Sequence, residues 1–504
     1  MMDSFLIVSE RDPTGVAPRL YVLHKQFICL WGIFLFSGGI RLRKPNIIRQ
    51  RLKAEEKNKL RNIEDIAKSY KAVLEFPSPS GGRTKIVAFN LYAEIMTSID
   101  GTFFKKGQMK KKVNNPHEFI KASLAIDDAL YPDLPFIGGS IGFAGYSYSF
   151  LFEEIDSPEM NPVGIPDFHF LYHTDYFIYS GDDFSECSHL HLDYEGERSE
   201  EELAKNMKYF REKLSTYSQA SGNEMYLIHG IKSNTNQEKF IDTVNELKSR
   251  IRNGDIFQAV LSQRWTGSFR GDPEDYYGKL KQEHPDTFQF HINFGSYHIV
   301  GCSPERLIAI DQGVIHSNPI AGTRRRGSTL QEDEEQIASL IADEKEKAEH
   351  VMLVDLARND LGKICKPESL NIKRFMEIES FKNVIHLVSE ITGQLNEAIH
   401  PMDAIKACLP AGTVSGAPKI RAMQLISEAE QERRGAYGGG VGFISYGGEL
   451  DLALAIRMMV IKDQQIHFQA GAGIVYDSIP ENEWYETLHK VGFKEDGIND
   501  FTYR

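Results

Sequence analysis

Two acidic pairs share one spacing, Glu346 with Glu349 and Glu483 with Glu486. Residues three apart on a helix project from the same side, so each pair can turn two carboxylates toward one point. Convergent carboxylate oxygens suit a hard dication, for which Mg²⁺ is the natural candidate. The spacing also occurs on plain solvated helix faces, so its surroundings have to decide. The first pair stands in Asp343-Glu-Lys-Glu-Lys-Ala-Glu-His350-Val-Met-Leu-Val-Asp-Leu-Ala-Arg358-Asn-Asp360, where a charged stretch runs into an apolar one. That arrangement can hold carboxylates at the mouth of a buried site.

Groups that could hold an anion follow later in the chain. In Gln469-Ala-Gly471-Ala472-Gly473-Ile-Val-Tyr-Asp477-Ser the glycines let backbone N–H groups converge on a carboxylate, although an ordinary tight turn reads the same way. The full GxGxxG pattern is absent, which argues against a dinucleotide, and Leu409-Pro-Ala-Gly-Thr413-Val-Ser-Gly-Ala-Pro-Lys419 fails the P-loop pattern. Arg457 follows the apolar run Leu450 to Ile456, where a guanidinium either clamps a carboxylate or closes a structural ion pair. The triplet Arg324-Arg325-Arg326 reads as surface charge or substrate steering.

The elements that must position these residues fall into two kinds. Before about residue 215, short β-rich runs such as Ile86 to Leu91 and Phe168 to Tyr179 alternate with turns, and Gly138 to Tyr146 is too glycine-rich for a helix. It predicts a strand with close backbone approach. From about Asn236, Phe240, Val244, Leu247 and Ile251 recur at helical spacing, with Gly254 as a stop signal. Further helices are predicted over Gln331 to Arg358, Asp403 to Leu409 and Lys419 to Glu430. The expected class is α+β, with helices packed on large, mostly antiparallel sheets. The expected units are an N-terminal extension over 1–50, a β-rich regulatory or structural subdomain over 51–215, and a catalytic domain over 236–495.

Composition narrows the function. A net charge of −13 opposes binding to nucleic-acid backbones, which leaves a small molecule as the expected ligand. The cysteines at 29, 187, 302, 365 and 408 are scattered, odd in number and never in a CxxC pair, as in a reduced cytoplasmic protein without a zinc motif. Phe27 to Ile40 is uncharged over fourteen residues, fewer than the roughly 20 a spanning helix needs, so no membrane association is expected.

Taken in order, six segments resemble the chorismate-utilising enzyme family: Gly254-Asp-Ile-Phe-Gln258-Ala-Val-Leu-Ser-Gln263, Cys302-Ser-Pro-Glu305-Arg306, Pro319-Ile-Ala321-Gly322-Thr323-Arg324, Glu349-His350 through Asp360, Leu409 to Lys419, and Gln469 to Glu486. The resemblance implies sheets sandwiched with helices, and a site where chorismate lies on Mg²⁺. By position, Glu349 and Glu486 would be metal ligands, with Glu346 and Glu483 supporting them. Gly322, Thr323, Tyr437, Arg457, Gly471, Ala472 and Gly473 match substrate-binding positions, Thr413 and His386 match further catalytic positions, and Glu305 matches the general acid.

Family members differ in what attacks C2 of chorismate. Those that add water carry a lysine base where this chain has Gln258, which cannot titrate. Those making 4-amino-4-deoxychorismate carry a lysine nucleophile where this chain has Ala321, which cannot form that bond. What remains is addition of ammonia at C2 followed by loss of pyruvate to give anthranilate, the first step of tryptophan biosynthesis. A 4-amino-4-deoxychorismate synthase or a catalytically silent subunit of the same fold stays as the alternative. The resemblance also implies a glutamine amidotransferase as a separate chain, in a heterotetramer, to deliver the ammonia. Members inhibited by tryptophan show Leu-Leu-Glu-Ser and Asn-Pro-Ser-Pro-Tyr-Met, where this chain has Val73-Leu74-Glu75-Phe76 and His284-Pro285-Asp286-Thr287-Phe288-Gln289. Tryptophan feedback is therefore expected to be weak, altered or absent.

Overall fold

The computed structural model describes residues 44–492, apart from 61–62, 67–69, 80, 99, 125–129, 217–225 and 383, together with the backbone of four short strands nearer the N-terminus. The Phe27 to Ile40 stretch lies outside the described residues, except that the backbone of Ile33–Phe36 pairs antiparallel with Gly39–Leu42. Among the described residues no helix is long and apolar enough to cross a membrane.

Two long strands organise the molecule. Arg83–Ser98 and Phe168–Ser180 run antiparallel along nearly their whole lengths, with Phe168 opposite Thr97 and Tyr179 opposite Lys85. Each has different outer neighbours at its two ends. At one end Arg83–Ser98 pairs with Ala72–Pro77, and Phe168–Ser180 pairs with Glu186–Asp193. At the other end their partners are Gly101–Lys106 and Gly139–Ala144. The sheet thus divides into two wings.

From Ala72–Pro77 the first wing continues through Phe288–Asn293, His298–Ser303, Met458–Lys462, Gln465–Ile474 and Gln258–Arg270. From Gly139–Ala144 the second continues through Gly440–Ser445, Leu450–Leu454, Arg306–Asp311, Val314–Ser317 and Val384–Gln394, and the last strand also carries Ile320–Arg325 and Asn371–Ser380. All these pairings are antiparallel, and the fold is α+β as its composition of elements predicts. Both wings draw strands from before residue 215 and from after residue 236.

Strand alternation decides what each face buries. Phe290, Ile292 and Ile299 point inward with Ile141, Phe443, Ile308 and Leu452 of the other wing, forming one inter-sheet core. Phe76 meets Phe443 across that gap at 5.3 Å between ring centroids. Helices cover the outer faces: Phe240 and Val244 of Gln237–Arg252 pack on Ala259, Leu261 and Ala472, and Tyr276 and Leu280 of Pro273–Glu283 pack in a cluster with Trp265 and Val300.

The glycine-rich segment is a strand, Gly139–Ala144, and the reason is steric. A Cβ on Gly142 would lie 2.0 Å from the His169 carbonyl oxygen, and one on Gly139 2.1 Å from that of Ile444. The single helix expected over Gln331 to Arg358 is two, Leu330–Ala342 and Glu344–Gly362. Asp343 between them takes an extended conformation (ψ 99°), and its side chain accepts from the amides of Lys345 and Glu346. Sequence periodicity cannot see this break, because an N-capping aspartate inside a charged run looks like any other acidic residue.

Candidate active site

Asp343 matters for more than helix ends, because the turn it starts carries Glu346 and Glu349. Both are half-buried, and Glu349 Oε1 accepts from Gln258 Nε2 at 3.2 Å. Gln258 lies where strand Gln258–Arg270 begins, paired with Ala417. Its side-chain amide oxygen is buried and has no hydrogen-bond partner among the described residues. Burial, then the charges of Glu346 and Glu486, push the Glu349 carboxyl above its ordinary range. Mutual repulsion of this kind shows that acidic groups from two helices converge.

The second helix, Pro480–Lys490, supplies Glu483 and Glu486. Glu483 is buried, and burial and Glu486 raise its carboxyl while a hydrogen bond from Ser478 opposes the rise. Four carboxylates gathered at the edge of a core fit a hard cation, and an oxygen-only donor set suits Mg²⁺. Lys490 completes this corner. Its ammonium donates to Glu486 at 2.7 Å and to the Gly471 carbonyl at 2.8 Å, joining the acidic helix to the glycine strand. Lys490 was not among the residues singled out from sequence, though its position four after Glu486 is a helical ion-pair spacing that could have found it.

Gly471 and Gly473 belong to strand Gln465–Ile474, opposite Ser262 and Val260. A Cβ on Gly473 would come to 2.6 Å from Gln258 Nε2 and 3.6 Å from Glu349 Oε1, so this glycine keeps the acidic corner open. Ala472 points the other way, into the cluster beneath Gln237–Arg252, which leaves only its backbone to face the site. Tyr437 is buried beside the Gly471 backbone, and burial pushes its phenol up to about 12.

A second corner forms where strand Ile320–Arg325 bulges. Gly322 sits at the irregularity with φ +65°, and its carbonyl accepts from His386 Nδ1 at 3.0 Å. Thr323 Oγ1 is 3.1 Å from the same nitrogen. An Nδ1 facing a carbonyl oxygen must carry the ring proton, so Nε2 presents a lone pair. Burial and the Arg457 charge lower the His386 protonation constant against the pull of the Gly322 carbonyl, leaving the ring neutral. A Cβ on Gly322 would reach 3.4 Å from Glu346 Oε2, so this corner abuts the acidic one. Arg457 adopts φ +49° and is exposed, and among the described residues its guanidinium has no ion-pair partner. Arg324, by contrast, is paired with Asp343 at 2.8 Å and Glu346 at 3.4 Å, and Arg326 with Asp333.

Glu305 forms the third corner. It sits just ahead of strand Arg306–Asp311, held by its amide donating to Ser303 Oγ at 3.3 Å and by its carbonyl accepting from Leu454 at 2.9 Å. Among the described residues its side-chain partner is Thr413, whose Oγ1 donates to Oε1 at 2.9 Å. Burial pushes its carboxyl up to about 8, so at neutral pH it is a carboxylic acid with a proton to give. The turn Gly412–Val414 that holds Thr413 is anchored by Arg434, a fully buried residue that sequence alone did not single out. Its guanidinium donates to the carbonyls of Val414 and Val260, both at 2.7 Å, and pairs with Glu430.

An acidic corner, an exposed arginine, a glycine strand and a buried acid, all on a two-winged antiparallel fold, define the class. Residues 72–494 match the family described as chorismate binding enzyme, and the chain belongs to that family. Within it, the relatives at high identity are anthranilate synthase component 1 chains. That of Lactococcus lactis subsp. lactis is 44% identical over 383 residues, spanning 75% of this chain and 83% of its own length. That of Aquifex aeolicus is 38% identical over 403 residues, spanning 78% and 81%. The crystal structure of anthranilate synthase component I from Streptococcus pneumoniae superposes with a TM-score of 0.74 at 38% identity, covering 82% of this chain and 92% of that one. The menaquinone-specific isochorismate synthase of Escherichia coli superposes with a TM-score of 0.65 at 18% identity, which speaks for the fold alone.

Proposed function

We propose that this chain is the chorismate-binding subunit of an anthranilate synthase, aminating chorismate at C2 and eliminating pyruvate. The observation that carries the reading is Glu305, a buried carboxyl with a protonation constant near 8, on a chain with Gln258 and Ala321 where other family chemistries need lysines. Glu349 and Glu486, supported by Glu346 and Glu483, would hold Mg²⁺, which when bound anchors the ring carboxylate and draws charge from it. Arg457 and the Gly471 to Gly473 backbone would take the second carboxylate, and Tyr437, Gly322 and Thr323 would line the ring.

In the first step ammonia adds at C2 as both ring double bonds shift, the C4 hydroxyl leaves as water with the proton of Glu305, and the new ammonium gives up its extra proton to solvent. The side-chain amide oxygen of Gln258, unpartnered among the described residues, can accept an N–H of ammonia and aim its lone pair. The product is aminodeoxyisochorismate. In the second step His386 Nε2 removes the C2 proton while the C3–O bond breaks and enolpyruvate departs, to become pyruvate on taking up a proton at its methylene carbon, and the ring becomes aromatic. Thr413 keeps the Glu305 carboxyl in place throughout.

A glutamine amidotransferase on a separate chain would supply the ammonia, and a heterotetramer of the two is the assembly proposed. Tryptophan would be a poor inhibitor. Glu75 is already paired with Arg83 at 3.3 Å and Lys281 at 3.1 Å, and Phe76 is buried against Phe443. Glu349→Gln tests the assignment against a silent subunit: anthranilate formation should fall by at least a hundredfold with the circular dichroism spectrum unchanged. Undiminished formation would remove Glu349 from the site.

A further inference from the structure

The outer face of the first wing carries a second group of ligand-type side chains that the chemistry above does not use. In the pairing of Phe288–Asn293 with His298–Ser303, His291 lies opposite Val300 and His298 opposite Asn293, so the two imidazoles are diagonal neighbours on one face. His291 Nε2 and His298 Nδ1 are 3.0 Å apart. Helix Pro273–Glu283 crosses above them, with the Tyr277 ring 5.6 Å from that of His291. Its first turn brings down Glu274, and one donor atom from each of Glu274, His291 and His298 falls within 4.8 Å of the others. Asp272 caps the same helix and accepts from the Glu274 amide at 3.0 Å. His291 is completely buried, and its Nδ1 has no hydrogen-bond partner among the described residues.

We propose that Glu274, His291 and His298, with Asp272 alongside, form a second metal site that takes a borderline transition dication of the Zn²⁺ class. Two imidazoles and a carboxylate are a donor set that zinc accepts readily and Mg²⁺ does not seek. Zinc–nitrogen bonds of about 2.0–2.1 Å set tetrahedral ligand atoms about 3.3 Å apart, so the imidazole nitrogens are already close to coordinating separation. Burial also holds both rings in the neutral form that binds metal.

One charge opposes the site. The buried Lys71 ammonium is 3.2 Å from Glu274 Oε1. The two carboxylates offset part of that repulsion, so binding is weaker than in an uncharged cage but remains selective for nitrogen-seeking metals. Occupied, the site ties helix Pro273–Glu283 to two strands of the first wing, and so acts on stability rather than on the reaction.

The test is calorimetric titration of the chelator-stripped full chain with Zn²⁺ in saturating Mg²⁺, with Tm followed in parallel. The wild type should bind one tight equivalent, and its Tm should rise by several degrees. His298→Gln and, independently, Glu274→Gln should weaken that equivalent at least tenfold and abolish the Tm rise, while ammonia-dependent turnover stays within twofold of wild type. Absence of a stoichiometric equivalent, its survival in both variants, or its loss in Glu349→Gln instead would each overturn the proposal.

Discussion

Glu305 and His386 divide the proton chemistry between them, and each division has a measurable signature. Glu305→Gln keeps the Thr413 hydrogen bond but has no proton to give, so kcat/KM should fall about 10²- to 10⁴-fold. In the wild type the working form is the protonated acid, so kcat/KM for chorismate, corrected for free ammonia, should fall as pH rises through about 8. The same shift has a stability consequence. A carboxyl raised in the folded state above its unfolded value contributes stability that is full below the unfolded value and is lost as pH rises through the folded one. Glu305→Gln should therefore melt higher than the wild type at pH 9, by scanning calorimetry, and an equal or lower Tm would mean the burial penalty is not there. His386→Ala should separate the two steps: chromatography should find aminodeoxyisochorismate accumulating while chorismate is consumed, whereas equal slowing of both would take His386 out of the second step.

At the scale of elements, the site depends on where two glycines and one aspartate let the chain go. Gly473→Ala places a methyl group 2.6 Å from Gln258 Nε2, the far end of a flexible side chain, so the fold can adjust but the Gln258–Glu349 bond cannot survive unchanged. The expected result is a Tm within a few degrees of wild type, with kcat/KM lowered at least tenfold. The paired glutamates, the strand Gly139–Ala144 and the helix Lys419–Glu430 were legible in the sequence because spacing and composition encode them, whereas Gly471 to Gly473 read as a turn and lie inside strand Gln465–Ile474, held there by pairing with Gln258–Arg270. The extended residue Asp343 and the bulge at Gly322 were not, since both depend on tertiary partners. Arg434 escaped for a related reason: a lone arginine gives no sign in sequence that its guanidinium will be buried against two carbonyls from distant segments. The fold class followed from alternating patterns, whereas the interleaving of early and late strands in both wings is a long-range pairing that periodicity cannot show.

For the whole molecule, the account requires a chain that works on ammonia alone and on glutamine only with a partner. Tryptophan at concentrations that fully inhibit feedback-sensitive relatives should leave most of the activity here, because Glu75 and Phe76 are already engaged within the chain. A dose–response curve with an ordinary tight inhibition constant would contradict that reading. The most direct test of the central claim is anthranilate fluorescence from the purified chain with chorismate, Mg²⁺ and an ammonium salt at mildly alkaline pH, beside a chelator control. The account predicts fluorescence that appears without any added lyase and disappears with the chelator. Chorismate consumed without fluorescence would favour a 4-amino-4-deoxychorismate synthase, and chorismate left untouched would mean the family's fold is kept here without its chemistry.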